Sequence, residues 1–440
     1  METAITGGFV FTGEDVVRAD VGIKGETIAT VGEVDDADRV IDATGDLVLP
    51  GLINAHTHSP MALLRGYGED LSFENWLTKR MNPIGYSFTR ETIAAGARLA
   101  ALEMIKTGTT CFVDMYGHMD VVANVVDDVG LRAVLGQGVL PTKSGDEQIQ
   151  TAIDRAVSFA REYDGTAGGR IHTAIMPHAP HTCPEWALSK LADHAVASGV
   201  LLHTHLSESV NEVRSVKSSS GVRPAHYLNE LGCWEPTAFA AHGVHLNETE
   251  QELLAEQNVG IAHCPSANLK LGTGIASVVD LLEAGVEVCI GTDSAASNNN
   301  LDMLSEVRLA ALLAKGSTNN GSAVPINQAI RMATHTPAQM LGLPTGMIKE
   351  GYSADLIVLE TETPQFTPQH NLLANAVYAA SGRDVTTTIV NGQVLMADDH
   401  VETMDEQTVL ADARSAATAV LERHGSETGI LNRDGSTKDQ

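Results

Sequence analysis

The chain has 440 residues, and 28 Lys and Arg against 56 Asp and Glu leave it a formal net charge of −28. Such an acid surplus repels phosphate backbones and anionic lipid, which excludes nucleic acid and membrane surfaces as partners. With 43% hydrophobic residues the chain can still bury a large core, which excludes wholesale disorder.

The first residues, METAITGGFVFTGEDVVRAD, carry no basic leader before an apolar run, so no signal peptide is expected, and no apolar stretch is long enough to span a bilayer. Cys111, Cys183, Cys233, Cys264 and Cys289 are scattered, odd in number and never spaced C-x-x-C. They predict neither a disulfide framework nor a thiolate metal site. The expectation is a cytoplasmic protein. Acid excess with only ten lysines further predicts a chain adapted to concentrated salt.

Residues 1–49 read as short β segments broken by Gly and Asp, and the same texture returns in 346–410, as in ADLIVLETE and TTTIVNGQVLMAD. The two ends together predict one small β-sandwich domain. Residues 50–345 alternate apolar β runs with amphipathic helical stretches. The β runs lie at 51–58, 109–116, 132–140, 171–180, 199–208, 238–246, 259–268 and 286–294, with helical patterns such as 90–108, 185–199 and 276–285 between them. Eight β runs joined by helical crossovers predict an α/β fold, a (β/α)8 TIM-type barrel. The alternative is an open doubly wound sheet. Polar residues at the C-terminal end of nearly every strand favour the barrel, because barrel enzymes place their sites there. Further helices are expected at 302–315 and 325–342, then a C-terminal helix in 411–440 with a frayed tail beyond about 424.

The strongest local signal is His56-Thr57-His58 at the end of the first barrel strand. Residues i and i+2 of a strand share a face, so both imidazoles can share one cation. A pair of satisfied polar residues would read the same way, but the pair has company. His203 and His205 repeat the pattern in strand five, Glu208 follows, His242 ends strand six and Asp293 ends strand eight. Four strands thus bring imidazole and carboxylate donors to one barrel mouth.

PGLINAHTH, HLSES, AAHGVHL, HCPSANLKLGTGIA and IGTDSAASNNNLDM resemble the amidohydrolase superfamily over nearly the whole chain. Within it they are most similar to the branch of methylthioadenosine/S-adenosylhomocysteine deaminases and triazine hydrolases. The resemblance implies that His56, His58, His205 and Asp293 hold one divalent ion, zinc first and iron as the other choice. Strand four, TAIMPHAP, lacks the lysine that bridges two metals in binuclear members, so a mononuclear site is expected. His203 is then a packed or supporting histidine in preference to a ligand.

The same resemblance implies hydrolytic deamination of an aminated heterocycle, most closely an adenine-type nucleoside. Asp293 would take a proton from the attacking water, Glu208 would protonate a ring nitrogen, and His242 would hydrogen-bond the nucleophile and the oxyanion. His178 matches a substrate-contacting position, and its other reading is a histidine at a helix start. Trp76 either lines the pocket or anchors a helix. Where methylthioadenosine deaminases carry a ribose-gripping glutamate this chain has Gly85, and in place of an arginine on strand three it has Gln137. The loop PTKSGDEQ offers Lys143 but no arginine. These departures bear on the substrate more than on the chemistry. A small-molecule substrate and a homo-oligomeric assembly complete the expectation. The alternatives are a triazine-type hydrolase, a guanine- or cytosine-type deaminase, and a non-catalytic barrel scaffold.

Overall fold

The computed structural model describes residues 1–141 and 145–425. Lys143 and the tail expected to fray beyond about 424 therefore fall, but for His424 and Gly425, outside the described residues.

The described strands form two sheets. The first holds β1 (Thr3–Phe11), β2 (Val16–Lys24), β3 (Thr27–Gly32), β4 (Arg39–Asp42) and β5 (Leu47–Pro50) from the N-terminal end. The second is the eight-stranded barrel sheet: β6 (Leu52–Thr57), β7 (Thr109–Tyr116), β8 (Arg132–Val139), β9 (Ile171–Pro177), β10 (Leu201–Leu206), β11 (Ala238–His242), β12 (Gly260–His263) and β13 (Val288–Ile290). Strands β14 (Leu356–Leu359), β15 (Val385–Val390), β16 (Gln393–Ala397) and β17 (His400–Val401) return to the first sheet, in the order β17-β16-β15-β14-β5-β1-β2-β3, with β4 on β1. Both chain ends thus build one mostly antiparallel sheet. The final helix, Glu406–His424, begins ahead of the expected boundary at 411 and packs on the helix Arg90–Lys106. No described helix is long and apolar enough to cross a membrane.

Strand periodicity explains how the small sheet seats on the barrel, since successive side chains point to opposite faces. Val48, Leu356 and Val358 join Ile5, Val10, Val21 and Ile389 in a core of the small sheet's own. Their neighbours Leu47, Leu49, Ile357 and Leu359 join the large core shared with the barrel helices. A buried ion pair pins this contact: Arg132, at the start of β8, gives Asp355 two hydrogen bonds of 2.8 and 3.2 Å.

The barrel sheet is parallel in chain order from β6 to β13. It closes where the last strand meets the first, through Asp293 N to His56 O at 2.9 Å and the Asn54 side chain, which bonds Thr292 Oγ1 at 2.7 Å and Thr292 N at 3.0 Å. Lower down the two strands part, and Met332 and Ala333 fill the gap by accepting from Ile290 N and Ile53 N. Inside, Ile53, Ala55, Val113, Met115, Val134, Met176 and Phe239 pack with Ala338, Leu341 and Leu343. The axis is therefore solid below and polar above, which puts the chemistry at the C-terminal mouth. All five cysteines are buried and unpaired.

Candidate metal centre and active site

His56 reaches the axis through an irregularity. Asn54 pairs with Phe112 and Thr57 with Asp114, so three steps of β6 run against two of β7. The bulge takes His56 out of phase with Ile53 and Ala55, which already point inward, and turns its ring inward as well. His58 follows just beyond the strand and holds its ring by Nδ1 to the Met115 carbonyl, 2.6 Å. His205, in regular phase on β10, holds its own by Nδ1 to the His178 carbonyl, 2.6 Å. Carbonyls only accept, so each ring carries its proton on Nδ1 and presents a bare Nε2.

Those nitrogens converge. His58 Nε2 lies 3.4 Å from His205 Nε2 and 3.4 Å from Asp293 Oδ1, and His56 Nε2 lies 3.8 Å from the same oxygen. Donors around a tetrahedral ion with bonds of about 2.0–2.1 Å sit roughly 3.3–3.4 Å apart. The spacing therefore fits a divalent ion. So does the chemistry of the donors: His56 Nε2 is fully buried with no hydrogen-bond partner. Burial, reinforced by the neighbouring imidazoles, holds His56 and His205 well below the usual histidine range, so both remain neutral. Two neutral imidazoles beside a carboxylate, with the Nε2 of His58 turned to the same point, suit a divalent cation.

Beside the donors stand Glu208, expected to protonate a ring nitrogen, and His242, expected to hydrogen-bond the nucleophile. Glu208 Oε1 is 3.9 Å from His242 Nε2. Burial, with a contribution from Asp293, raises the Glu208 carboxyl well above the ordinary carboxylate range, so it is held as an acid. His242 donates from Nδ1 to Asn268 Oδ1 at 2.9 Å, which leaves its Nε2 free to accept. Burial lowers His242 against the opposing pull of Asp293. His178 places its ring 4.8 Å from that of His205, hydrogen-bonds Thr182 Oγ1 at 3.0 Å, and is pushed by burial down to about 3.

Two residues named from the sequence are engaged elsewhere. Trp76 is buried against Phe73, Leu64 and Met81 in an apolar cluster. Gln137 Oε1 accepts from Met119 N at 3.2 Å, at the start of helix Met119–Val129. His203 is not among the converging donors: its Nε2 faces His56 Nδ1 at 2.9 Å and its Nδ1 faces the Phe239 carbonyl at 3.1 Å.

Other contributors were not singled out in the sequence. Glu212 is buried and accepts from the amides of Ser207 at 2.7 Å and Glu208 at 2.9 Å, fixing the turn that carries Glu208. The pattern Ser209-x-x-Glu212 could have suggested a capped helix, and Ser209 does accept from Glu212 N at 3.1 Å. The carboxylate, however, reaches past Ser209 to the turn that carries Glu208. Asp114, in β7, is buried and accepts from the amide and hydroxyl of Ser59, beside His58, and burial raises it to about 6. Three residues at strand ends, Ser207, His242 and Asp293, have φ of +50°, +76° and +59°.

Comparison with known proteins agrees with this geometry. Residues 47–395 match the Amidohydrolase family. A 5-methylthioadenosine/S-adenosylhomocysteine deaminase of Pelotomaculum thermopropionicum is 44% identical over 430 residues, 95% of this chain and 99% of that protein. A 5'-deoxyadenosine deaminase of Methanosarcina acetivorans is 43% identical over 411 residues, 93% of this chain and 95% of that protein. Among solved structures, an adenosine deaminase of Xanthomonas campestris with bound zinc superposes with a TM-score of 0.90 at 32% identity, covering 96% of this chain and 99% of that one.

Proposed function

The chain belongs to the amidohydrolase family, as a hydrolase acting on carbon–nitrogen bonds, and on that premise we propose that it deaminates an adenine-type nucleoside. The substrates we favour are 5-methylthioadenosine or S-adenosylhomocysteine, 5'-deoxyadenosine and adenosine, after the names its relatives carry. The observation that carries the reading is the joining of an ion-sized donor set, His56, His58, His205 and Asp293, to a carboxyl at Glu208 held protonated by burial.

A bound divalent ion, zinc in our reading, supplies Lewis acidity that makes water a nucleophile near neutral pH. The remaining work falls to side chains. Asp293 takes the proton of the attacking water. Glu208 gives its proton to the ring nitrogen beside the amino-bearing carbon, which makes that carbon electrophilic, and ammonia leaves after a further proton transfer. His242 accepts a hydrogen bond at Nε2 from the incoming hydroxyl and so fixes its approach, while Asn268 keeps the acceptor side of the ring turned to the site. His178 borders the substrate space, where its neutral ring can hydrogen-bond the base. The C–N bond breaks, the C–O bond forms, and the product is the keto heterocycle.

The experiment is metal analysis with an ammonia-release screen over adenosine, 5'-deoxyadenosine, methylthioadenosine, S-adenosylhomocysteine, guanine, cytosine and chlorotriazines, at low and high salt. One ion per chain and ammonia from an adenine nucleoside are expected. Stoichiometric ion without turnover of any aminated heterocycle would defeat the proposal. The net charge of −28 supports a cytoplasm rich in salt as the working environment, and full activity in dilute buffer would count against it. Self-association follows as a proposal for the same preparation, tested by sedimentation.

A further inference from the structure

The three histidine donors solve the same problem in two ways. His58 and His205 each pass the Nδ1 proton straight to a main-chain carbonyl, that of Met115 and that of His178. His56, the most deeply buried of them at 0% exposure, meets the side chain of His203 instead. The hydrogen count along this contact has one solution. Phe239 O can only accept, so the proton of His203 sits on Nδ1, 3.1 Å away. His203 is itself fully buried, with its ring on that of Phe239 at 4.1 Å between centroids. The hydrogen bonds described for its ring nitrogens run to Phe239 O and His56, so with Nδ1 donating to the carbonyl the Nε2 of the neutral ring is a lone pair. The 2.9 Å contact then requires the proton on His56 Nδ1, which leaves His56 Nε2 bare and aimed at the donor cluster.

We propose that His203 is a positioning residue whose Nε2 holds the proton on His56 Nδ1, so that His56 can bind the ion only through Nε2. This deepens the metal-site reading above and rests on it. Were His203 merely packed against Phe239, any side chain of similar volume would serve. A tautomer relay instead demands an acceptor at this point. His203→Gln supplies one, since its amide oxygen reaches the place of Nε2, whereas His203→Met fills the space without an acceptor.

The test is zinc affinity, by chelator competition, of the wild-type protein and the two variants, with thermal unfolding of the metal-free forms to establish folding. Loss of a partner that orients a ligand weakens an ion by about 10–100-fold. His203→Met is expected to fall in that range and His203→Gln to stay within a few-fold of wild type. Equal affinity for His203→Met and wild type, or a His203→Gln as weak as His203→Met, overturns the proposal. Should His203→Met not fold, a long-range 15N–1H histidine spectrum of the zinc-loaded wild type decides alone. A proton on His56 Nδ1 with zinc on Nε2 supports the relay, and the opposite arrangement overturns it. A wild-type protein that takes up no ion overturns this inference and the functional reading together; an ion held equally without His203 overturns this inference alone.

Discussion

Gly291 is the narrowest point of the barrel closure, and Gly291→Ala tests whether closure and the metal centre are one structure. A Cβ there would lie 2.8 Å from His56 N, 3.0 Å from His56 Cβ and 3.1 Å from His56 O. Ordinary contacts to carbon lie at about 3.5–4.0 Å, so β6 and β13 must move apart by roughly half an ångström or more. The atoms in the way are mostly main chain, which cannot rotate aside. The closing bond from Asp293 N to His56 O, now 2.9 Å, would stretch past the usual limit of about 3.2 Å. Overpacking of this kind costs about 1–3 kcal/mol, lost bond included. The same displacement separates His56 Nε2 from Asp293 Oδ1, and metal sites tolerate only about 0.2 Å in their distances. The assay is thermal unfolding of the metal-free protein together with zinc affinity by chelator competition. Gly291→Ala is expected to melt several degrees lower and to bind zinc at least about tenfold more weakly. Gly85→Ala is the control, since nothing lies within 4 Å of its Cβ position, and it should leave both unchanged or slightly improve stability. Wild-type melting and affinity for Gly291→Ala would refute the coupling.

Three further outcomes follow from named contacts. Glu208→Gln should keep the ion but lose about 10²–10⁴ in kcat, the usual worth of a positioned acid, and unchanged turnover would remove Glu208 from the proton path. Arg132→Met leaves Asp355 buried without its cation and should cost about 3–5 kcal/mol in denaturant unfolding, whereas a neutral result would show that the small sheet does not depend on this pair. Glu306 is buried, accepts from Ser266 N and Asn298, and is raised by burial to about 7 from an ordinary 4.5. The folded protein therefore binds this proton more tightly than the unfolded chain. Its contribution is full below about pH 4.5 and is lost as pH rises to about 7, a swing of at most about 3–4 kcal/mol at 1.36 kcal/mol per unit. Stability of Glu306→Gln should accordingly fall less between pH 5 and 7.5 than that of wild type, and parallel curves would sink the assignment.

The sequence could show His56, His58, His205, His242, Asp293 and Glu208 because each sits at the end of an apolar run, and topology alone brings strand ends to one mouth. The short apolar runs LVLP and LIVL are legible as β segments for a similar reason, but the division of their side chains between two cores is not, because every residue in them is apolar. What it could not show is which partner each of three polar side chains takes in the fold. Asn268, just beyond the seventh barrel strand, fixes the His242 ring. Glu212, four residues on from Glu208, reaches back to the Glu208 amide. Gln137, which stands where the resemblance implies an arginine, accepts from Met119 N at the start of a helix. The Asn268 and Gln137 partners depend on how neighbouring βα units stack, and Glu212 departs from an ordinary cap by reaching four residues back to the Glu208 amide.

The irregularities of the barrel fall where the chemistry is, and the reason is geometric. A regular strand sends alternate side chains to the axis and ends with its ladder bonds open, so it offers at most one inward donor near the rim. The bulge in β6 adds an inward histidine beyond that limit. Left-handed φ values at Ser207, His242 and Asp293 turn the chain at or just beyond the ends of three strands. Each such residue costs about 1–3 kcal/mol and persists only where its surroundings over-determine it. Here they do: Glu212 holds Ser207 N at 2.7 Å, His56 O holds Asp293 N, and Asp293 Oδ1 takes Ser294 N at 2.7 Å. The contact made by Asp293 N ties a strained strand end to the main chain of a proposed metal ligand. Strain at the rim and convergence of donors are therefore set by the same hydrogen bonds, and loosening one of them must move the other.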